Sequence, residues 1–198
     1  MDIRNLAFVG VVLAAGCASS GGSPAPARTQ DEEMAAWMKA AGAGPQHQRL
    51  ASKAGNWDVE GQMWMDPEAP PMGMKGKAKL WNVLDGRFQM QDYEGDFMGA
   101  PFHGYGVTGY NNVTGMYEAN WFDSMGTMMM RMEGPEDAAG VITLTGTFPD
   151  PWGETQHMRH VMRDDGPNHM VLEMYGSCAS KHGGAEMKMM ELHYRRTK

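Results

Sequence analysis

The chain has 198 residues, a formal net charge of −7, 42% hydrophobic residues and two cysteines. This length suits a single domain, and the acidic balance excludes a general binder of the nucleic-acid backbone, which needs a basic surface. Two cysteines also exclude a disulfide-based scaffold. The unusual value is the 22 methionines, because Met is an adaptable, polarizable residue that fills irregular cores and lines pockets.

The first 16 residues have the features of a bacterial lipoprotein signal peptide. Residues 6–15 are an apolar run too short to span a bilayer core, which takes about 20 residues. Small residues then precede Cys17, as in the lipobox, where such a cysteine receives diacylglycerol. We therefore predict a signal peptide at 1–16, lipidation at Cys17, and a flexible tether over 17–30. Ala18, rather than an aspartate, favours an outer membrane lipoprotein of the cell envelope that faces the periplasm.

Residues 31–54 are predicted to form a helical lead-in. Thr29 and Glu32 have the spacing of a capping box. Apolar residues then recur from Met34 at helical intervals, and Pro45 is a suitable first residue for a second short helix.

From Gly55 onward, short alternating runs are separated by Gly, Pro, Asn and Asp, which predicts strands joined by turns. The predicted strands are Trp57–Met65, Lys75–Leu84, Phe88–Glu94, His103–Tyr110, Met116–Phe122, Thr127–Glu133, Val141–Phe148, Gln156–Arg163, Met170–Tyr175 and Glu186–Arg195. An open sheet of this size would leave two long edges, so closure is favoured. We predict a mainly β protein: an antiparallel meander of about ten strands closed into a calycin-like barrel over 55–198, after one or two short helices.

Several motifs between Gly44 and Arg196 resemble a bacterial family known as domain of unknown function 1579. The most specific are Gly86-Arg87-Phe88 and Trp121-Phe122-Asp123-Ser124-Met125. Asp85 and Asn111 stand where the family has Gly and Asp, both at predicted turns. The resemblance implies a shared fold and supplies no activity.

A looser likeness to the lipocalin and fatty-acid-binding superfamily rests on Gly55-x-Trp57 in the first strand and Arg195 in the last. In that superfamily an arginine lies across the tryptophan and closes one barrel end. The likeness implies a cation–π contact between Trp57 and Arg195, worth about 0.5–2 kcal/mol. It also implies a lumen that holds one small apolar ligand.

The predicted ligand-binding residues are a few polar and aromatic groups near strand ends, because pockets are mostly apolar with a few placed polar groups. They are Arg87, Tyr110, Trp121, Asp123 and Met125. The predicted function is therefore a lipid-anchored envelope protein that binds or carries a small apolar or amphipathic ligand, with the membrane as partner through its acyl chains. In the alternative interpretation, Asp123 and Ser124 form a turn by bonding backbone amides.

Soft-metal binding is a second hypothesis, because alternate methionines share one face of a strand and thioethers select Cu(I). Met128, Met130 and Met132 are the densest such group. Adaptable packing explains the same pattern. A third hypothesis is a structural or interaction lipoprotein without a ligand.

The sequence shows no paired carboxylates, nucleophile–base pair or metal-ligand cluster with the required spacing, so we predict no catalytic residue, no metal and no cofactor. Cys178, His182 and Met187 only superficially resemble a copper loop. His157, His160 and His193 are isolated candidates for a haem ligand, of which His193 on the last strand is the best placed.

Overall fold

The computed structural model describes residues 27–178 and 182–197. The predictions for residues 1–16 and Cys17 lie outside the described residues. Two helices come first, α1 (Gln30–Ala41) and α2 (Pro45–Ser52). The predicted capping box is confirmed: the Thr29 hydroxyl accepts from the Glu32 amide, and the Glu32 carboxylate accepts from the Thr29 amide. Within the described part, no helix is long and apolar enough to cross a bilayer.

Ten strands follow and form a closed antiparallel barrel, which confirms the predicted fold. Each strand pairs with the next along the chain, and the last pairs with the first. The strands are β1 (Gly55–Met63), β2 (Met72–Val83), β3 (Phe88–Phe97), β4 (Ala100–Asn111), β5 (Met116–Asp123), β6 (Met130–Gly134), β7 (Ile142–Pro149), β8 (Thr155–Asp164), β9 (His169–Cys178) and β10 (Met187–Arg196). A 3-10 turn, His182–Gly184, precedes β10.

The barrel has two different ends. We call the end where β1 begins and β10 finishes the helix-capped end, because α2 packs there. The opposite end, where β1 finishes at Met63 and β5 finishes at Asp123, is called the far end.

The β6–β7 pairing is the weakest seam of the barrel wall. The regular ladder between these strands has one register pair, Glu133 with Thr145. Strand β6 begins at Met130 rather than at the predicted Thr127, and Met129 is 65% exposed. Because β6 is short, few main-chain hydrogen bonds join it to β7.

Side chains of the barrel satisfy the last carbonyl groups of α2. The four donors are Gln89 to Leu50, Asn82 to Ala51, Trp57 to Lys53, and Arg196 to both Ser52 and Ala54. The carbonyls at a helix C-terminus have no partner within the helix, and leaving them buried and unpaired is costly. These bonds therefore hold α2 across the helix-capped end.

Arg49 holds the other side of α2 to the barrel rim. Its guanidinium pairs with Glu136 and with Asp164, at 3.1 Å from the Asp164 Oδ2 atom, and donates to the Gly140 carbonyl oxygen at 2.7 Å. The Tyr117 hydroxyl donates to Glu136 Oε2 at 2.7 Å. Burial and this bond raise the pKa of Tyr117.

The closing arginine is Arg196, and the assignment of this role to Arg195 is corrected. The Arg196 guanidinium carbon lies 4.3 Å from the centre of the Trp57 ring. The register pairs Trp57 with Arg196 and Asp58 with Arg195. Since directly opposed residues in an antiparallel pair share one face, Arg196 lies on the inward face with Trp57, and Arg195 faces outward.

The β2–β3 turn needs residues that tolerate a positive φ angle at positions 84–86. Leu84, Asp85 and Gly86 have φ angles of 51°, 57° and 81°. This left-handed region favours glycine because it has no Cβ. Asp85 keeps the same backbone, since Asp is among the residues that tolerate it best.

Charged side chains form a network on the outer face of β8–β10. Lys188 Nζ lies 2.6 Å from Glu173 Oε1 and 2.6 Å from Glu191 Oε2. Arg159 donates twice to Glu186, at 2.9 and 2.6 Å. The hydrogen bonds from Lys188 hold the pKa of both Glu173 and Glu191 below the usual value, and Arg159 does the same for Glu186.

Replacing Lys188 with methionine is expected to reduce the acid sensitivity of folding. The pKa values of Glu173 and Glu191 are lower in the folded chain than the ordinary 4.5, so their contribution is present above that pH and is lost as pH falls through the folded values. Without Lys188, the free energy of unfolding should fall less between pH 7 and about pH 3. Urea unfolding at both pH values measures this. Lys75→Met is the control, because the Lys75 side chain is 84% exposed, and it should leave the pH dependence of stability unchanged. The same pH dependence in both variants would contradict the prediction.

Candidate functional site

The interior combines fully buried side chains with others that are partly exposed, and both kinds occur in each half of the barrel. Trp57, Val59, Tyr117 and Leu144 are at most 2% exposed. Interior side chains that remain partly exposed include Met74, Phe102, Trp121, Met130, Met158, Met174 and Met190. Removing apolar surface from water is favourable by about 25 cal/mol per Å², so an apolar ligand would gain free energy by covering these partly exposed side chains.

One wall of the far half, on β3–β5, is aromatic. The Tyr93 ring meets Phe102 at 5.8 Å and Trp121 at 6.5 Å, both edge to face. Trp121 Nε1 donates to Asp123 Oδ2 at 2.8 Å. The Tyr93 hydroxyl is buried and, among the described residues, has no hydrogen-bond partner; burial raises its pKa. This wall therefore offers ring surfaces with a carboxylate and a hydroxyl beside them.

The other side of the lumen carries a row of side chains, mostly thioethers, that crosses five adjacent strands. Directly opposed residues of an antiparallel pair share a face. The register pairs His160 with Met174, Met174 with Met190, Met190 with Met63, and Met63 with Met72. We call these five residues the thioether row. It places four of the 22 methionines in one row on the interior face of the barrel.

His160 begins the thioether row, and its Nε2 atom is shielded from solvent. Within the described part of the chain this nitrogen has no hydrogen-bond partner. Burial lowers the pKa of His160 to about 4, so the imidazole is neutral at neutral pH. A buried polar atom without a hydrogen bond lowers the free energy of unfolding by about 1–3 kcal/mol. A histidine is therefore an unusual residue at this interior position. His157 has the opposite orientation and is exposed.

His193, the best placed of the isolated haem candidates, lies on the outer face and makes hydrogen bonds there, as the alternative of an ordinary strand histidine predicts. Its Nδ1 is 3.1 Å from His169 Nε2, and its Nε2 is 3.0 Å from Glu191 Oε1. The two imidazole rings are stacked at 5.3 Å. In β10 the inward face carries Leu192 and Tyr194, and the residue between them must face outward.

The predicted ligand-binding residues do not converge on one site. Tyr110 lies at the helix-capped end, opposite Tyr117 in the register. Trp121 and Asp123 lie toward the far end, and four residues of strand separate Trp121 from Tyr117, about 13 Å. Met125 is exposed beyond β5, and its amide donates to Asp123 Oδ1 at 2.9 Å. Asp123 therefore accepts a hydrogen bond from the Met125 amide in the turn after β5, and another from Trp121 in the aromatic wall.

Arg87 borders a surface cavity of about 350 Å³ between the end of α1 and strands β4 and β5. Its Nε atom donates to the Ala41 carbonyl at 3.0 Å, and the Asn112 side chain donates to the carbonyls of Ala40 and Gly42. These bonds hold the α1–α2 connection against the barrel. They give Arg87 a structural role far from the aromatic wall.

A carboxylate–imidazole cluster on the outer face was not foreseen from the sequence. The ligand atoms of Asp92, Glu94 and His103 lie within 4.8 Å of one another, with His103 Nε2 2.7 Å from Asp92 Oδ1. The β3–β4 register brings these residues together, since it pairs Glu94 with His103. Because exposed acidic groups are common on protein surfaces, we assign this cluster no function.

The fold and interior define a class of protein: a closed antiparallel β-barrel with one end capped by a helix and an apolar interior with few polar groups. The chain belongs to the family described as "Protein of unknown function (DUF1579)", whose profile matches residues 42–196. This match confirms the resemblance seen between Gly44 and Arg196. No curated protein matches the chain.

Solved structures with the same kind of barrel are distant in sequence. The S-type phycobiliprotein lyase CPES from Guillardia theta is 11% identical, with 82% of this chain and 97% of that chain covered and a TM-score of 0.53. A de novo designed fluorescence-activating β-barrel is 10% identical, with 73% and 93% covered and a TM-score of 0.41. At 11% identity, the likeness to the lyase concerns the fold alone.

Proposed function

We propose that this protein binds a small apolar or amphipathic ligand in the far half of its barrel. The observation that carries the proposal is the aromatic wall, which places a carboxylate and a hydroxyl beside ring surfaces. Interior side chains of the far half that include Trp121 and Met130 are partly exposed. A mostly apolar lining with a few placed polar groups is typical of ligand sites.

The aromatic wall supplies the orienting groups for such a ligand. Phe102 and Trp121 present ring surfaces, and Asp123 and the Tyr93 hydroxyl are the polar atoms beside them. A ligand with an apolar body and one polar end matches this lining. Arg87 and Tyr110 would not contact it, because they lie at the helix-capped end.

We also propose that a lipid anchor at Cys17 holds the barrel at the cell envelope, on the periplasmic side of the outer membrane. The support is the apolar run before the small residues and the cysteine, and two or three acyl chains anchor a protein firmly. Intact-mass measurement of the chain extracted from bacterial membranes tests this. A mature chain that begins with acylated Cys17 supports the anchor, and an unmodified Cys17 or retained residues 1–16 would refute it.

Replacing Met130 with glutamate is expected to weaken binding of an apolar ligand by about tenfold or more, because the new carboxylate must lose water beside the ligand. Met130 lies directly opposite Trp121 in the register and is only partly buried, so the variant should still fold. Titration with a solvent-sensitive fluorescent fatty acid measures the affinity. Met129→Glu, at the exposed neighbouring position, is the matched control and should bind normally.

Two outcomes would reject the ligand-binding proposal. One is equal binding of the probe by both variants. The other is no binding by the unchanged chain together with no organic molecule recovered by solvent extraction of the purified protein. The second outcome would favour a structural or interaction protein whose barrel carries no ligand.

A further inference from the structure

We propose that the interior face of β8 and β9 forms a binding site for a soft monovalent metal ion, Cu(I), with His160 Nε2 and the thioether sulfurs of Met158 and Met174 as ligands. This inference concerns the β8–β9 wall of the lumen, whereas the aromatic wall proposed above to orient the apolar ligand lies on β3–β5. It differs from the Met128, Met130 and Met132 group considered from sequence.

The register brings the three ligand residues together. Met174 on β9 is directly opposite His160 on β8, and such pairs have Cβ atoms about 4.5–5.5 Å apart. Met158 is two residues before His160 on the same strand and therefore on the same face. Two thioether side chains thus neighbour the His160 side chain on the interior face, and the His160 Nε2 atom has no hydrogen-bond partner among the described residues.

Two glycines leave room around Met158 for further sulfur-bearing side chains. Gly146 on β7 and Gly176 on β9 are both register partners of Met158. The space that a Cβ would fill at Gly176 is bordered by the Sδ atoms of Met189 and Met158. The space at Gly146 is bordered first by the Arg131 carbonyl oxygen of β6 and then by the Cγ atom of Met132. The thioethers therefore gather around this position, and Met132 and Met189 are available as additional neighbours.

The chemistry of this donor set selects the ion. Thioether sulfur is a soft ligand that favours Cu(I), and imidazole also binds copper. A divalent hard cation such as Mg²⁺ or Ca²⁺ instead requires oxygen ligands. A single positive charge held by neutral donors needs no carboxylate, and coordination would satisfy the His160 nitrogen that burial leaves unpaired.

The test measures Cu(I) binding by the purified full chain in oxygen-free buffer, in competition with a chromogenic Cu(I) chelator. We expect one tightly bound Cu(I) per chain.

His160→Leu should lower the affinity by about 100-fold, and Met174→Leu by about tenfold, since each removes one ligand. His160→Leu should still fold, because it removes an unsatisfied polar atom and replaces it with an apolar group. Met→Leu conserves volume.

The matched controls are His157→Leu, on the same strand but facing outward, and Met34→Leu, exposed on α1. Both should bind Cu(I) like the unchanged chain. X-ray absorption should show nitrogen and sulfur neighbours of the copper, with the imidazole signal absent from His160→Leu. No stoichiometric uptake, or equal affinity of His160→Leu and His157→Leu, would overturn the proposal. Neither result would alter binding of the fatty-acid probe, so the two proposals fail separately.

Discussion

Replacing Arg196 with methionine is expected to lower the free energy of unfolding by about 2–4 kcal/mol, more than most substitutions of a charged residue. Arg196 donates to the carbonyls of Ala54 at 2.6 Å and Ser52 at 2.9 Å, and its guanidinium covers the Trp57 ring. A hydrogen bond from a charged group contributes about 1.5–3 kcal/mol, and the cation–π contact about 0.5–2 kcal/mol. Methionine keeps the apolar cover over Trp57 but leaves both carbonyls without their donor.

Urea unfolding of matched arginine variants provides the measurement. Arg195→Met should change the stability by less than about 0.5 kcal/mol, because Arg195 is exposed and faces outward opposite Asp58. Arg196→Lys should fall between these two variants, since an ammonium lacks the planar fork that reaches two carbonyls. Similar losses for Arg195→Met and Arg196→Met would refute the role assigned to Arg196.

Replacing Gly134 with alanine is expected to cost about 3 kcal/mol or more, because the added methyl group meets backbone rather than a movable side chain. A Cβ at Gly134 would overlap the Thr143 carbonyl oxygen and would press on the Leu144 Cα atom. Both atoms belong to β7, whose regular ladder with β6 has one register pair. The strand must therefore shift away, which opens the barrel wall at its weakest seam.

Gly73→Ala is the control for Gly134→Ala. Gly73 also lies in a strand, and nothing lies within 4 Å of its Cβ position. It should be neutral or slightly stabilising, since alanine reduces the freedom of the unfolded chain. Thermal and urea unfolding compare the two variants. A Gly134→Ala chain as stable as Gly73→Ala would show that the β6–β7 seam is looser than the contacts indicate.

The two ends of the barrel differ in what contacts them. At the helix-capped end, donors from four barrel residues satisfy the carbonyls of residues 50–54, so α2 is a fixed part of the structure. Toward the far end, interior side chains that include Trp121 and Met130 are partly exposed. Entry of a ligand from the far end would leave the bonds to α2 intact. Stability and binding can therefore be altered separately, which the Arg196 and Met130 variants would demonstrate.

The arginine that covers Trp57 is Arg196, one position beyond the residue predicted from the sequence. The signal was present, because Leu192, Tyr194 and Arg196 alternate along one face of β10. The likeness to lipocalins directed attention to the end of the predicted strand instead, which was placed one residue too early. Strand boundaries are the least certain feature of such predictions, and an error of one residue reverses the face.

The sequence alone does not determine which residues surround His160 in the barrel. Met158, His160 and Met162 alternate with Arg159 and other residues, so an inward face for the histidine could be suspected. Its partners Met174 and Met190 come from other strands, and only the register makes them neighbours. The pattern along one strand does not specify that register.

The sequence by itself determined the strand number, the order of elements and the face of most side chains, because alternation with a period of two is a local property. It also indicated the helix cap at Thr29 and the family. The tertiary structure decided which residues meet: Trp57 on the first strand with Arg196 on the last, α2 with its donors, and His160 with the thioether row. Those contacts depend on closure and register, which arise from pairing between strands far apart in the chain.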